Sequence, residues 1–283
     1  MKGLNDILLP YIDGQIIYRQ LNARFDRSEA LQRWCSYLLK VRTGLRISEL
    51  ANIRLVHVRK HLHRDFKGFP TCLSIDVLES KGERRSVGQP GFRMHIPLSN
   101  KCHSWSNIFC PVRQIALMLD EGNLDLISAE TPLFPYLSQG TNHRQTIINR
   151  FNKVLRLCWK PNLTTHSTRH AFVYLLMANN YTCDQRLKEG RWSCEKTAKP
   201  YEKTARAAWD HVRKLNSYQY YEAVDVMDMS SLSITSLHGV MKAPTNLDMA
   251  VQTLDAQHYL STYTPQIFGL DPNLVPVYYK EHL

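Results

Sequence analysis

Apolar side chains recur at helical spacing along most of this chain and alternate in one region only. Leu31, Trp34, Cys35 and Leu38 fall on one helical face. Ser28 ahead of them is the expected N-cap, and Gly44 lies near the expected end. A short helix carrying Arg46, Ile47, Glu49, Leu50 and Ile53 is expected next. Between about residues 54 and 98 the period changes. TCLSIDVLES (71–80) and FRMHIPL (92–98) alternate, and the polar SKGERR that follows the first predicts a turn, so the stretch reads as a small antiparallel sheet. Past Pro111, VRQIALMLDEG is helical, and residues 142–158, 166–179, 182–190 and 202–216 keep helical spacing. The expected fold class is α+β, mainly helical, with the sheet on one side. Proline disfavours helical angles at the residue before it. A helix break is therefore expected at Lys199, with Tyr201 near the start of the next helix. Residues 222–245 show no clean period and read as a linker, and residues 246–262 as a further helix.

Charge is the first compositional fact that narrows the partner. The 283 residues carry 36 Lys and Arg against 25 Asp and Glu, a net charge of +11. Residues 1–216 hold 34 basic and 18 acidic side chains, residues 217–283 only 2 and 7. The basic body suggests a polyanion such as nucleic acid, although a surplus of Lys and Arg is also an ordinary solvated surface. No segment reaches the roughly 20 apolar residues that cross a bilayer. The opening MKGLNDILLPYIDG carries an Asp too early for a secretory signal. An intracellular protein with no membrane partner is expected. The seven cysteines form no C-x-x-C pair and read as reduced thiols. Cys102, His103 and Cys110 lie close together but lack a second ligand pair at zinc-site spacing, so no metal site is expected.

The residues that could carry chemistry have ordinary readings when taken singly. Arg46 in RTGLRISEL opens a helix, where the helix dipole offers an arginine nothing and would suit an anion; the alternative is a surface arginine. Lys81, in the turn SKGER beside Gly82, is flexible enough to reach into a groove, as most turn lysines never need to. In THSTRHAFVYLL, His166 and Arg169 are three apart on the first turn of a helix, whose free N–H groups also favour an anion; His170 lies off that face and reads as structural. Trp192 and Tyr201 in GRWSCEKTAKPYEK would be core residues if nothing else were present.

Arg46, Lys81, His166, Arg169, Trp192 and Tyr201 stand together in the order and spacing of one known family. Over about residues 25–210 the chain resembles the tyrosine recombinases of the phage integrase type, most specifically through RTGLRISEL and H-x-x-R-H. The resemblance implies the recombinase catalytic-domain fold and a site-specific recombinase that cleaves and rejoins DNA through a 3′-phosphotyrosyl intermediate, in the integration, excision or resolution of a DNA element. It implies that Tyr201 is the nucleophile and that Arg46 and Arg169 clamp the non-bridging phosphate oxygens. His166 would position the phosphate or accept the tyrosine proton, Lys81 would protonate the departing 5′ oxygen, and Trp192 would donate its indole N–H to a phosphate oxygen. Glu49 resembles the carboxylate that holds the cations in place. Arginines and a lysine do here what a metal does in nucleases, so no cofactor is implied. The implied partners are double-stranded DNA and further copies of the chain, as a tetramer on DNA, with accessory DNA-binding proteins as an additional option.

Two readings compete with recombination: strand nicking and resealing of the type IB topoisomerase kind, and a DNA-binding protein on the same scaffold that does not cleave. Forty-five residues precede Arg46, so the expected division is a catalytic domain over 1–216 without a separate core-binding domain, followed by an acidic extension over 217–283. That extension, with its apolar IFGLDPNLVPVYY, is expected either to dock on a neighbouring subunit or to fold back over the basic groove. Tyr218, Tyr220 and Tyr221 are alternative nucleophiles that lie too far past Trp192 for the family spacing.

Overall fold

The structure, a computed structural model, describes residues 6–59, 61–77, 91–98, 106–122, 128–140, 143–214 and 233–236. Lys81, Cys102, His103, Tyr218, Tyr220, Tyr221 and the helix expected over 246–262 lie outside these residues.

The first helix, α1 (Ile12–Arg24), has no counterpart among the sequence expectations. Its apolar stripe is thin because Asp13 and Gly14 sit among its buried positions. Beside its buried Ile17 and Leu21, polar contacts hold it. The Asp13 carboxylate accepts the Leu9 N–H at 2.7 Å and pairs with Lys160 at 2.7 Å, while Lys160 also donates to the Ile7 carbonyl. Next comes α2 (Arg27–Thr43), which begins two residues earlier than expected. Asp26, not Ser28, is its N-cap, and a carboxylate oxygen of Asp26 accepts the Glu29 N–H at 2.9 Å. Gly44 ends α2 in the left-handed conformation (φ 60°), where a Cβ would also lie 2.6 Å from the Phe172 ring. The short α3 (Ile47–Ala51) and α4 (Val56–Arg59) lead into the sheet.

The strands are β1 (Leu62–Arg64), β2 (Pro70–Val77), β3 (Phe92–Pro97) and β4 (Ser233–Ser236), in the order β1-β2-β3-β4. All three pairings are antiparallel. In β3 every second residue is buried, as its alternating sequence predicts. Leu73, Ile75 and Val77 of β2 sit opposite Ile96, Met94 and Phe92 of β3. The partly exposed pair Asp76 and Arg93 joins by two hydrogen bonds of 2.6 and 3.0 Å. The linker expected over 222–245 is corrected here, because its residues 233–236 form β4 along β3, with Ser236 opposite Phe92. A strand this short has too few residues for a period to be read from its sequence.

The remaining helices are α5 (Ser106–Phe109), α6 (Pro111–Glu121), α7 (Pro135–Ser138), α8 (Arg144–Leu155), α9 (Thr165–Ala178), α10 (Cys183–Gly190) and α11 (Glu195–Val212). One contiguous apolar core draws on residues from Ile7 to Val212, with Trp34, Tyr37, Phe109, Phe151 and Phe172 among its largest members. The fold is thus α+β and mainly helical. Among the described residues no helix is long and apolar enough to cross a membrane.

The break expected at Lys199 is not there: α11 runs unbroken from Glu195 to Val212 with Pro200 inside it. A proline in a helix interior removes one hydrogen bond and crowds the carbonyl four residues back, at a cost of about 3 kcal/mol. Here that carbonyl belongs to Lys196, and Lys196, Lys199 and Pro200 are all exposed. Water can solvate the freed oxygen, while the opposite face, with Ala198, Ala205, Ala208 and Val212, is buried and α11 packs along α9. Tertiary packing outweighs the local preference.

Candidate active site

Five of the seven residues singled out by sequence converge where α3, α9, the end of α10 and α11 meet. Arg46 is the N-cap residue of α3, and its backbone N–H donates to a Glu49 carboxylate oxygen at 2.7 Å. The guanidinium of Arg46 donates to the other oxygen of Glu49 at 2.9 Å. Glu49 is buried, with its side chain only 1% exposed, whereas that of Arg46 is 32% exposed. A second arginine, Arg191, donates to Glu49 at 3.0 Å. Burial by itself would raise the Glu49 pKa; Arg191, the Arg46 N–H and the Arg46 guanidinium together hold it below the usual glutamate value.

Arg169 projects from α9 into the buried side of this cluster. One Nη2–H donates to the Gly190 carbonyl at 2.9 Å, while Nε and Nη1 meet no acceptor among the described residues. Its Cζ stands 5.2 Å from the centre of the Trp192 ring and 5.6 Å from that of Tyr201. The two rings are 5.2 Å apart at 31°. Burial lowers the Arg169 pKa to about 10, and the nearby Arg191 and Arg46 charges push it the same way. A guanidinium resists deprotonation, so this one is a buried cation with two unused donors, held among like charges.

The turn after α10 is built to make that contact. Arg191 caps α10 in the left-handed conformation (φ 56°), a position where glycine is usual. Glycine stands one residue earlier instead, for a different reason: a Cβ on Gly190 would lie 1.8 Å from Cζ3 of Trp192. The indole lies flat against the Gly190 backbone while Arg169 holds its carbonyl. Gly190→Ala is therefore expected to displace the Trp192 ring and weaken the fold by about 1–3 kcal/mol. Urea unfolding and the near-ultraviolet circular dichroism of the variant measure the two effects.

Tyr201 lies on α11 and is half-buried. His170, read from sequence as structural, touches it: the rings are 4.9 Å apart, with His170 Nδ1 3.5 Å from the Tyr201 carbonyl oxygen. His166 sits one turn before His170 on α9 and is exposed, unlike the buried Arg169 three residues on. His166 and Arg169 thus stand three apart on α9, the first exposed and the second buried. Lys81 lies outside the described residues.

Three further residues escaped the sequence reading. Arg191 ties to Glu49 and stacks its Cζ 4.2 Å above the Phe92 ring; its only sequence signal was a basic residue wedged between Gly190 and Trp192. Lys40 on α2 is fully buried beside the arginines. His170 was visible as the last residue of H-x-x-R-H. Among the described residues the locality holds four cations, Lys40, Arg46, Arg169 and Arg191, against the single carboxylate of Glu49. Such a balance favours an anion.

Comparisons with protein-family models, with curated proteins and with solved structures return no match for this chain.

Proposed function

We propose that this locality binds a phosphodiester, and that the protein belongs to the class of enzymes that transfer a DNA strand to a tyrosine. Within that class, the reading is a tyrosine recombinase, a site-specific DNA recombinase or integrase. The observation that carries it is Arg169: a buried guanidinium with two N–H donors that meet no acceptor among the described residues, close to the tyrosine ring and flanked by like charges. An oxyanion offsets the charge and accepts from an unused donor, and a hydrogen bond between two charged groups is among the strong ones.

In the proposed step the Tyr201 hydroxyl oxygen bonds to phosphorus and the bond from phosphorus to the 5′ oxygen breaks. The tyrosine proton passes to a base, in the role the family resemblance assigns to His166, and the 5′ oxygen is protonated, in the role assigned to Lys81. The negative charge that grows on the non-bridging oxygens is met by Arg46 and Arg169. The strand's bond energy is kept in the phosphotyrosine, so rejoining runs the same step backwards.

The test is a denaturing gel of the protein incubated, without added metal, with nicked duplexes that trap cleavage, drawn from a library of candidate targets. A covalent adduct that maps to Tyr201 and is absent in Tyr201→Phe is the expected result. Binding that weakens steeply with salt, with no adduct on any duplex, would instead make the protein a DNA binder that does not cut.

A further inference from the structure

Lys40 is a basic residue of the cluster to which the proposed chemistry gives no task. It lies on α2, 1% exposed, and its Nζ donates to the Leu45 carbonyl at 2.6 Å. Leu45 immediately precedes Arg46, so this bond anchors the turn from which Arg46 is presented. The Phe151 ring of α8 stands 5.7 Å from Nζ. Among the described residues no carboxylate lies within ion-pair distance of it. The charged groups that face it are Arg169 from α9, Glu49 and Arg46 from α3, and Arg191 from the turn after α10. Glu49 is already engaged by both Arg46 and Arg191.

Three guanidinium charges and, when it is protonated, Lys40 repel one another around one carboxylate in a region with little water. A guanidinium cannot relieve this by losing a proton, whereas a buried amine can. Lysine is thus the member that gives way. We propose that Lys40 is the proton-linked residue of the site: only partly protonated in the free protein near neutral pH, it gains proton occupancy from solvent when an oxyanion binds to Arg169 and Arg46, and the ammonium form grips the Leu45 carbonyl that positions Arg46. The inference rests on the phosphodiester reading for its natural ligand, although its chemistry requires only a bound oxyanion. Burial, reinforced by the Arg169 charge, brings the Lys40 pKa down to about 7. An anion close to the site acts in the opposite sense, by on the order of 1 pH unit. The consequence is that ligand affinity rises as the pH falls from about 8 to 7.

Lysine side-chain carbon NMR on the full chain reads this directly, with the Lys40 signal identified by its loss in Lys40→Gln. The glutamine keeps an N–H for Leu45 and cannot titrate. Lys40→Met serves the same purpose if that variant folds poorly. Titrations are run on the protein alone, with inorganic sulfate, and with a short duplex DNA. The expected result is a midpoint near 7 for the protein alone, raised by roughly 1 pH unit with either anion, and duplex affinity that loses its dependence on pH between 7 and 8 in Lys40→Gln. A shift with sulfate and none with DNA would uphold the proton linkage and remove the phosphodiester reading. A midpoint near the ordinary lysine value in the free protein, or one that neither anion moves, would overturn the proposal.

Discussion

Replacing Arg169 by Met is expected to slow formation of the Tyr201 adduct by about 10²–10³-fold, the usual consequence of removing one donor from a developing oxyanion, while making the folded protein more stable. The two effects have one cause. In the free protein the guanidinium is buried, two of its donors meet no acceptor among the described residues, and its nearest charged neighbours include Arg191 and Arg46. The bond to the Gly190 carbonyl, the contacts with the Trp192 and Tyr201 rings and the charge of Glu49 act in its favour. A methionine fills similar space with no charge to desolvate, and replacing buried charge by apolar volume gains on the order of 1–4 kcal/mol in favourable cases. Cleavage assays on nicked duplexes read the first effect and the denaturant midpoint reads the second. A variant that lost both activity and stability would show that the guanidinium has acceptors in the folded protein, which would undercut the argument for an anion site.

Glu49→Gln should move stability the other way and by more. Glu49 is the only carboxylate among the described residues that pairs with both Arg46 and Arg191, and it is almost fully buried. Neutralising it leaves the Arg46, Arg169 and Arg191 charges facing one another with no counter-charge, and breaking a buried ion pair from one side costs roughly 3–5 kcal/mol. For a body of this size that is on the order of 6–20 °C in melting temperature. The pH dependence fixes the sign independently. The Glu49 pKa is lower in the folded protein than in the unfolded chain, so its contribution is fully present above the unfolded value of about 4.3. It is lost as the pH falls through the folded value. The gap between the two proteins is therefore expected to be wide at pH 6–7 and to narrow below pH 4. A gap that did not depend on pH would mean that Glu49 acts through packing and not through charge.

Much of the fold was legible because its elements are long or regular. Proline opens α6, as expected for a helix placed just past Pro111, and β3 alternates strictly between buried and partly exposed residues. Errors arose where a short-range signal was weaker than a distant contact. Asp26 caps α2 ahead of the equally suitable Ser28, which falls inside its first turn. Pro200 interrupts nothing because its exposed face costs little and its buried neighbours gain more. The thin apolar stripe of α1 concealed a helix held by the Asp13–Lys160 pair, whose partners are far apart in the chain. For β4 the pairing strand was decisive, and that too is a long-range contact.

The same division runs through the candidate site. The identities and order of Arg46, Glu49, Arg169, Trp192 and Tyr201, and the helical frame that carries most of them, were readable from the amino-acid sequence, because side-chain type and local period are properties of the chain itself. Which of them are buried was not. Charge balance depends on distances between residues such as Glu49 and Arg191, far apart along the chain and 3.0 Å apart in space. Lys40 reads as one more polar position on an amphipathic helix until packing of α2 against α9 buries it below the arginines. The tertiary structure decided how much water each cation keeps, and desolvation is what turns a set of ordinary basic residues into a site with a preference for an anion and, as proposed, for a proton.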